Sequence, residues 1–184
     1  GILNILVIII NEIVFMKIYV ITGASSCGKT TVIDRLAEMG FAVMHEAARE
    51  LIREGKIRPR TVQFQKELAK RHLAREQAVR ASGANIAFLD RGIYDNRAFC
   101  KHYEFSEIPK ILKTEPAYDA AFFLDSLASF ENDGLRVESG IEEALAVKNL
   151  IFEEYDRRGI PCVNVPAMNV ENRVSFILKH INKF

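Results

Sequence analysis

From Lys17 onward the sequence alternates short apolar runs with longer stretches in which apolar residues recur every three or four positions. Short apolar runs fit strands buried on both faces of a parallel sheet, and the longer period fits helices that cover those faces. The runs predict strands at Lys17–Thr22, Phe41–His45, Asn85–Asp90, Ala120–Leu124 and Ile160–Val165. Helices are predicted over Thr31–Met39, Thr61–Ala81, Tyr94–Tyr103, Glu142–Arg158 and Val170–Ile181. Gly40, Gly83 and Gly159 stand at three helix ends, where a residue free to take positive φ stops a helix. The expected fold class is therefore α/β, a three-layer sandwich with a mainly parallel five-stranded sheet between helices. Residues 16–184 are read as one domain, with no internal repeat and no linker.

The segment before it has a different pattern. Ile2–Phe15 carries eleven aliphatic or aromatic residues in fourteen, broken only by Asn4, Asn11 and Glu12. That falls short of the roughly 20 apolar residues that cross a bilayer, and neither a basic residue ahead nor a small-x-small cleavage site marks it for export. Two readings fit: a strand or helix packed on the domain or on a second copy, or an upstream extension of a domain that starts at Met16. An ordered apolar patch of this kind marks association, so a homodimer contact through residues 1–15 is an expectation.

Composition narrows the partners. The 184 residues hold 25 Lys+Arg against 24 Asp+Glu, a net charge of +1, which gives no overall field toward nucleic acid or an anionic membrane. The basic run Lys66 to Arg80 is interleaved with Glu67 and Glu76 and reads as a solvated helix face. Cys27, Cys100 and Cys162 form no CxxC pair, which argues against a disulfide framework or structural zinc and for a reducing, cytoplasmic setting.

The strongest chemical signal is Gly23-Ala24-Ser25-Ser26-Cys27-Gly28-Lys29-Thr30, a G-x-x-x-x-G-K-[ST] motif between a predicted strand and a predicted helix. Glycines let such a backbone wrap phosphates, the helix N-terminus adds its dipole, Lys29 reaches the β- and γ-phosphates and Thr30 ligates Mg²⁺. Residues Gly23, Ser25 to Thr30 and Thr31 are the expected nucleotide contacts, with ATP and Mg²⁺ as cofactors. Ile86-Ala87-Phe88-Leu89-Asp90 is an apolar strand ending in an acid at the carboxyl edge, where ligands sit in open parallel sheets, so Asp90 is expected to serve the metal with Thr30. Arg91 follows where hydrolytic motors place a water-activating glutamate, which tilts the reading from hydrolysis toward transfer. No [NT]-K-x-D guanine-reading motif occurs.

The second predicted strand ends in His45-Glu46-Ala47-Ala48-Arg49-Glu50, so Glu46 projects near an acceptor hydroxyl and Arg49 lies one turn on. A first-turn acid favoured by a helix dipole is the competing reading of Glu46, and His45 reads as a packed or capping residue. Arg91, Asp95 and Asn96 suit either an acceptor-binding loop or a polar turn. In the weakly apolar segment Asp125–Gly140, Arg136 is the candidate cation for charge developing on the transferred phosphoryl group, with a solvated loop as the alternative.

Taken together, Gly23 to Thr30, His45 to Glu50, Asp90-Arg91, Tyr118-Asp119, Asp133 to Arg136 and the closing Pro166 to Leu178 stretch with Arg173 resemble one family. It is the AAA-type P-loop domain family that includes the nicotinamide riboside kinase domain of bifunctional NAD-biosynthesis regulators. Nucleoside and thymidylate kinases are similar more distantly. The resemblance implies sheet order 2-3-1-4-5, ATP with Mg²⁺ as donor, and Glu46 as the acid that assists the acceptor hydroxyl. The expected activity is that of a kinase, with Lys29, Glu46, Asp90 and Arg136 catalytic and Glu46, Arg49, Arg91 and Asp95 holding a nucleoside- or riboside-like acceptor. A nucleotide switch that hydrolyses slowly and works through a protein partner is the alternative.

Overall fold

A computed structural model describes residues 16–126 and 140–184. The expectations for residues 1–15 and for Arg136 therefore lie outside the described residues.

Five strands form one sheet: β1 (Lys17–Gly23), β2 (Ala42–Met44), β3 (Ile86–Asp90), β4 (Ala120–Leu124) and β5 (Cys162–Val165). Their order across the sheet is β2-β3-β1-β4-β5, and each neighbouring pair is parallel. The helices are α1 (Lys29–Glu38), α2 (Ala48–Glu54), α3 (Val62–Arg80), α4 (Ile93–His102), α5 (Ile141–Asp156) and α6 (Val170–Ile181), with a 3₁₀ turn at Lys110–Lys113.

Successive side chains of a strand face opposite sides, so β1 feeds two cores. Ile18 and Val20 join Leu89, Ala121 and Phe123 under α3, α4 and α5. Tyr19 and Ile21 join Phe88 and Phe122 under α1 and α6, with the Tyr19 ring 5.6 Å from Phe88 and 6.0 Å from Phe122. Full burial on both faces is why these strands are continuous apolar runs rather than alternating ones.

Gly40, Gly83 and Gly159 take φ of 89°, 76° and 67°, as helix-ending glycines should. Thr61 caps α3, its hydroxyl accepting the Phe64 amide at 3.2 Å. The helix α2 was not anticipated. Its seven residues bury only Ala48 and Leu51, too few for a period to show, and it is held through contacts of Leu51 with Phe64 and Leu68 of α3. The strand β2 is shorter than the predicted Phe41–His45 because its pairing with β3 ends at Met44.

The register carries the chemistry. Ile21 of β1 lies beside Asp90 of β3, so the acid at the end of β3 stands next to the start of the loop that leaves β1 at Gly23. Asp119 fixes the opposite end of β1, accepting the Ile18 amide at 2.7 Å and pairing with Lys17 at 3.0 Å.

Candidate functional site

The loop 23–30 is shaped by three positive φ values: Gly23 at 135°, Ser26 at 58° and Gly28 at 89°. A Cβ on Gly23 would come within 2.7 Å of the Leu124 carbonyl, so only glycine fits where the loop crosses β4. Lys29 opens α1 and folds back under the loop, its ammonium donating to the Ala24 carbonyl at 2.7 Å and lying 3.8 Å from Cys27 Sγ. It is only 6% exposed. Cys27 sends its side chain into the core beneath, away from the expected nucleotide contact. Ser25 and Ser26 are half-buried on the loop, and Thr31 is exposed on α1. Gly28 and Thr31 border a cleft of about 570 Å³ whose far wall is Ala167, Met168, Asn169, Val170 and Arg173.

The Thr30 hydroxyl donates to Asp90 Oδ2 at 3.1 Å, which joins the loop to the end of β3 as the sequence motif requires. Asp90 is fully buried, and among the described residues its Oδ1 has no hydrogen-bond partner. An orphaned buried carboxylate oxygen beside a threonine hydroxyl suits a hard cation such as Mg²⁺, whose remaining ligands come from phosphate and water. Among the described residues no group of three or more His, Cys, Asp or Glu is placed to hold a metal ion.

Burial, then the nearby Glu46 charge, pushes the Asp90 carboxyl up to about 7, against the pull of Lys29, Arg91 and Thr30. A raised carboxylate of this kind binds its proton more tightly folded than unfolded. Its stabilisation is full below the ordinary value near 4 and is lost as pH rises through about 7. Asp90→Asn is therefore expected to raise the melting temperature of the unliganded protein by about 3–8 °C at pH 8 and hardly at all at pH 4. A thermal melt at both pH values checks it, and an equal shift at the two would refute the charge argument.

Just past the end of β3, Arg91, at φ 67°, is a non-glycine residue in the left-handed region, its backbone N–H donating to the Ile21 carbonyl at 3.0 Å. Its buried guanidinium donates to Glu46 at 3.1 Å and to Asp95 at 2.9 Å, and sits 5.4 Å from the centre of the Phe99 ring. Glu46 is thus held at the carboxyl edge of the sheet, within the field of Asp90.

Asp95 has a different place from the expected acceptor contact. It is 1% exposed, and it accepts from Thr22 and Arg91 on one oxygen and from the Gly92 amide and the Tyr155 hydroxyl on the other. Four donors saturate the carboxylate, so Asp95 acts on the site through Arg91. Asn96 faces another buried chain: His72 Nδ1 meets Asn96 Oδ1 at 2.9 Å, and the Asn96 amide donates to Gln65 at 3.1 Å. Burial lowers the His72 value, against the pull of Glu46 and Asn96. His45 is exposed, 3.6 Å from Asp34. Arg49 is half-buried on the first turn of α2. The arginines of α3 are paired, Arg71 with Glu54, Arg75 with Glu50 and Arg80 with Glu76.

Thr22, Tyr155, Gln65 and His72 escaped the sequence reading. Each lies inside a regular element, and no motif separates such a residue from an ordinary core position. Among the described residues no helix is long and apolar enough to cross a membrane.

Compared with the curated proteins, the sequence matches none. Among solved structures, a NadR protein in complex with NR is 19% identical with a TM-score of 0.73, covering 92% of this chain and 52% of that one. The chain thus spans about half the length of that relative. The thymidylate kinase from Ehrlichia chaffeensis is 14% identical with a TM-score of 0.63, covering 90% of this chain and 98% of that one. The deoxyadenosine kinase from M. mycoides with products bound is 14% identical with a TM-score of 0.60, covering 91% and 100%. These likenesses show that the chain shares the α/β fold of those three proteins. The family model described as AAA domain matches residues 18–173 and so takes in both the phosphate loop and the Asp90 strand. On that match the chain belongs to the AAA domain family.

Proposed function

We propose that this protein is a kinase that transfers the γ-phosphoryl group of ATP to a hydroxyl of a small nucleoside- or riboside-like metabolite. The observation that carries the reading is Glu46. A carboxylate held by Arg91 at the carboxyl edge, within the field of Asp90, faces the donor side that Lys29 and Thr30 build. Phosphoryl transfer asks the protein for position and charge more than for covalent chemistry, and this arrangement supplies both. The solved relative bound to NR and the thymidylate and deoxyadenosine kinases support an acceptor of nucleoside type.

In this reading the loop amides and Lys29 hold the β- and γ-phosphates. Thr30 and Asp90 would hold Mg²⁺, which neutralises phosphate charge when bound. Glu46 orients the acceptor hydroxyl and takes its proton as the new O–P bond forms and the bond to the β-phosphate oxygen breaks, releasing ADP. Arg49 stands beside it for the acceptor, Asp95 keeps Arg91 in place, and Arg136 is the cation assigned to the transition state.

ADP release from ATP and Mg²⁺, with and without a panel of nucleosides and ribosides, tests the proposal. One acceptor that stimulates release and appears phosphorylated supports it and names the substrate. A slow release indifferent to every acceptor overturns it in favour of a nucleotide switch.

A further inference from the structure

Arg173 on α6 is among the largest fully buried side chains, 1% exposed, yet its two partners are neutral backbone carbonyls. One terminal nitrogen donates to the Cys27 carbonyl in the phosphate loop. The other donates to the Asp125 carbonyl, just past the end of β4, at 2.8 Å. Among the described residues its Nε has no hydrogen-bond partner. A buried guanidinium without a bound carboxylate is expensive to keep, and charge-assisted bonds to two distant segments are what it gives in return. The same side chain forms part of the wall of the 570 Å³ cleft beside Gly28 and Thr31.

The bond to Cys27 has a geometric consequence. In a trans peptide the carbonyl and the next amide point in opposite directions, and no peptide bond in the structure is cis. Fixing the Cys27 carbonyl on Arg173 therefore fixes the direction of the Gly28 N–H, which points away from that guanidinium. Gly28 at φ 89° makes that orientation accessible, and nothing in its own side chain could hold it. Loop amides that point inward are what bind phosphate.

We infer that Arg173 is a positioning residue for the phosphate loop: it aims the Gly28 amide at the bound phosphates and ties that aim to the end of β4 and to the cleft wall. The inference rests on the nucleotide half of the function proposed above and not on its acceptor half. It predicts that the residue acts on the phosphate chain of a ligand rather than on its base.

The test is calorimetric binding of MgADP, Mg-tripolyphosphate and adenosine to the full chain and to the Arg173→Gln and Arg173→Lys variants. Arg173→Gln is expected to weaken MgADP and Mg-tripolyphosphate by the same factor, about 10- to 100-fold, and to leave adenosine unchanged. Arg173→Lys keeps the charge and can reach one carbonyl, so it should recover part of that loss. It also carries the test if the glutamine variant does not fold. Loss confined to MgADP and adenosine, with Mg-tripolyphosphate bound as in the parent chain, would overturn the inference and leave Arg173 as a base-lining residue. Equal loss for all three ligands would overturn it as well, since a loosened fold spares none. A parent chain that binds none of them overturns the inference together with the phosphate-loop reading beneath it.

Discussion

Lys29→Ala is expected to lower nucleotide-dependent turnover by about 10³-fold or more while leaving the unliganded protein at least as stable as before. The reason lies in where the ammonium sits. It is 6% exposed, and its partners are a neutral carbonyl and a neutral sulfur. A buried charge whose hydrogen bonds, among the described residues, go only to neutral groups costs stability, and this offsets the loss of its longer-range attraction to Asp90 when it is removed. Function depends on it twice. In the proposed function Lys29 supplies positive charge where the transferred group develops negative charge, and its field also holds the Asp90 carboxyl down against burial and Glu46.

Without Lys29 the Asp90 value rises further above about 7, so less of this carboxylate, the proposed metal ligand, is ionised at neutral pH. Whatever activity remains should therefore have its pH optimum shifted upward. Rates of ADP release from pH 6 to pH 9, with thermal melts beside them, check both parts. A variant within tenfold of the parent rate would remove Lys29 from the chemistry.

The donor half of the site was legible in the sequence because its geometry is local. Eight consecutive residues specify the loop, and the register of two adjacent parallel strands brings Asp90 to Thr30 without any help from side chains elsewhere. The sheet order followed from the family resemblance rather than from periodicity, and the strands are laid out in that order. Those residues are polar at strand ends and loop turns, where a polar residue stands out from its apolar neighbours.

The acceptor half was less legible because its contacts are distant in sequence. Nothing near Asp95 announces that Tyr155, sixty residues on, will take one of its lone pairs, or that Thr22 will take another. A short acidic side chain after Asp90-Arg91 looks the same in sequence whether it faces a ligand or is saturated by four donors. The helix α2 was hidden for a different reason. Seven residues with two buried positions carry no period, and its place depends on the apolar face that α3 offers.

The remaining test separates the two halves. Glu46→Gln is expected to reduce acceptor-dependent transfer by about 10²- to 10⁴-fold, the range for a positioned general base, while nucleotide binding survives. The amide still offers an oxygen to Arg91, and Arg91 keeps its second anchor on Asp95, so the surrounding geometry holds. The substitution also removes a negative charge that helps push Asp90 up, so the Asp90 value falls below about 7. Metal-dependent nucleotide binding should then strengthen relative to the parent protein near pH 6 and change little at pH 8, where Asp90 is already ionised in both. This is the opposite of the shift expected for Lys29→Ala, so the two variants report the sign of the field at Asp90 from its two sides. Acceptor-stimulated release and Mg²⁺-dependent ADP affinity at pH 6 and pH 8 read out the two effects independently. If stimulation is unchanged, Glu46 serves only to hold Arg91 and the acceptor carboxylate lies elsewhere. If stimulation is lost and affinity at pH 6 rises, one carboxylate takes part in the transfer and in setting the charge of the metal-binding acid beside it.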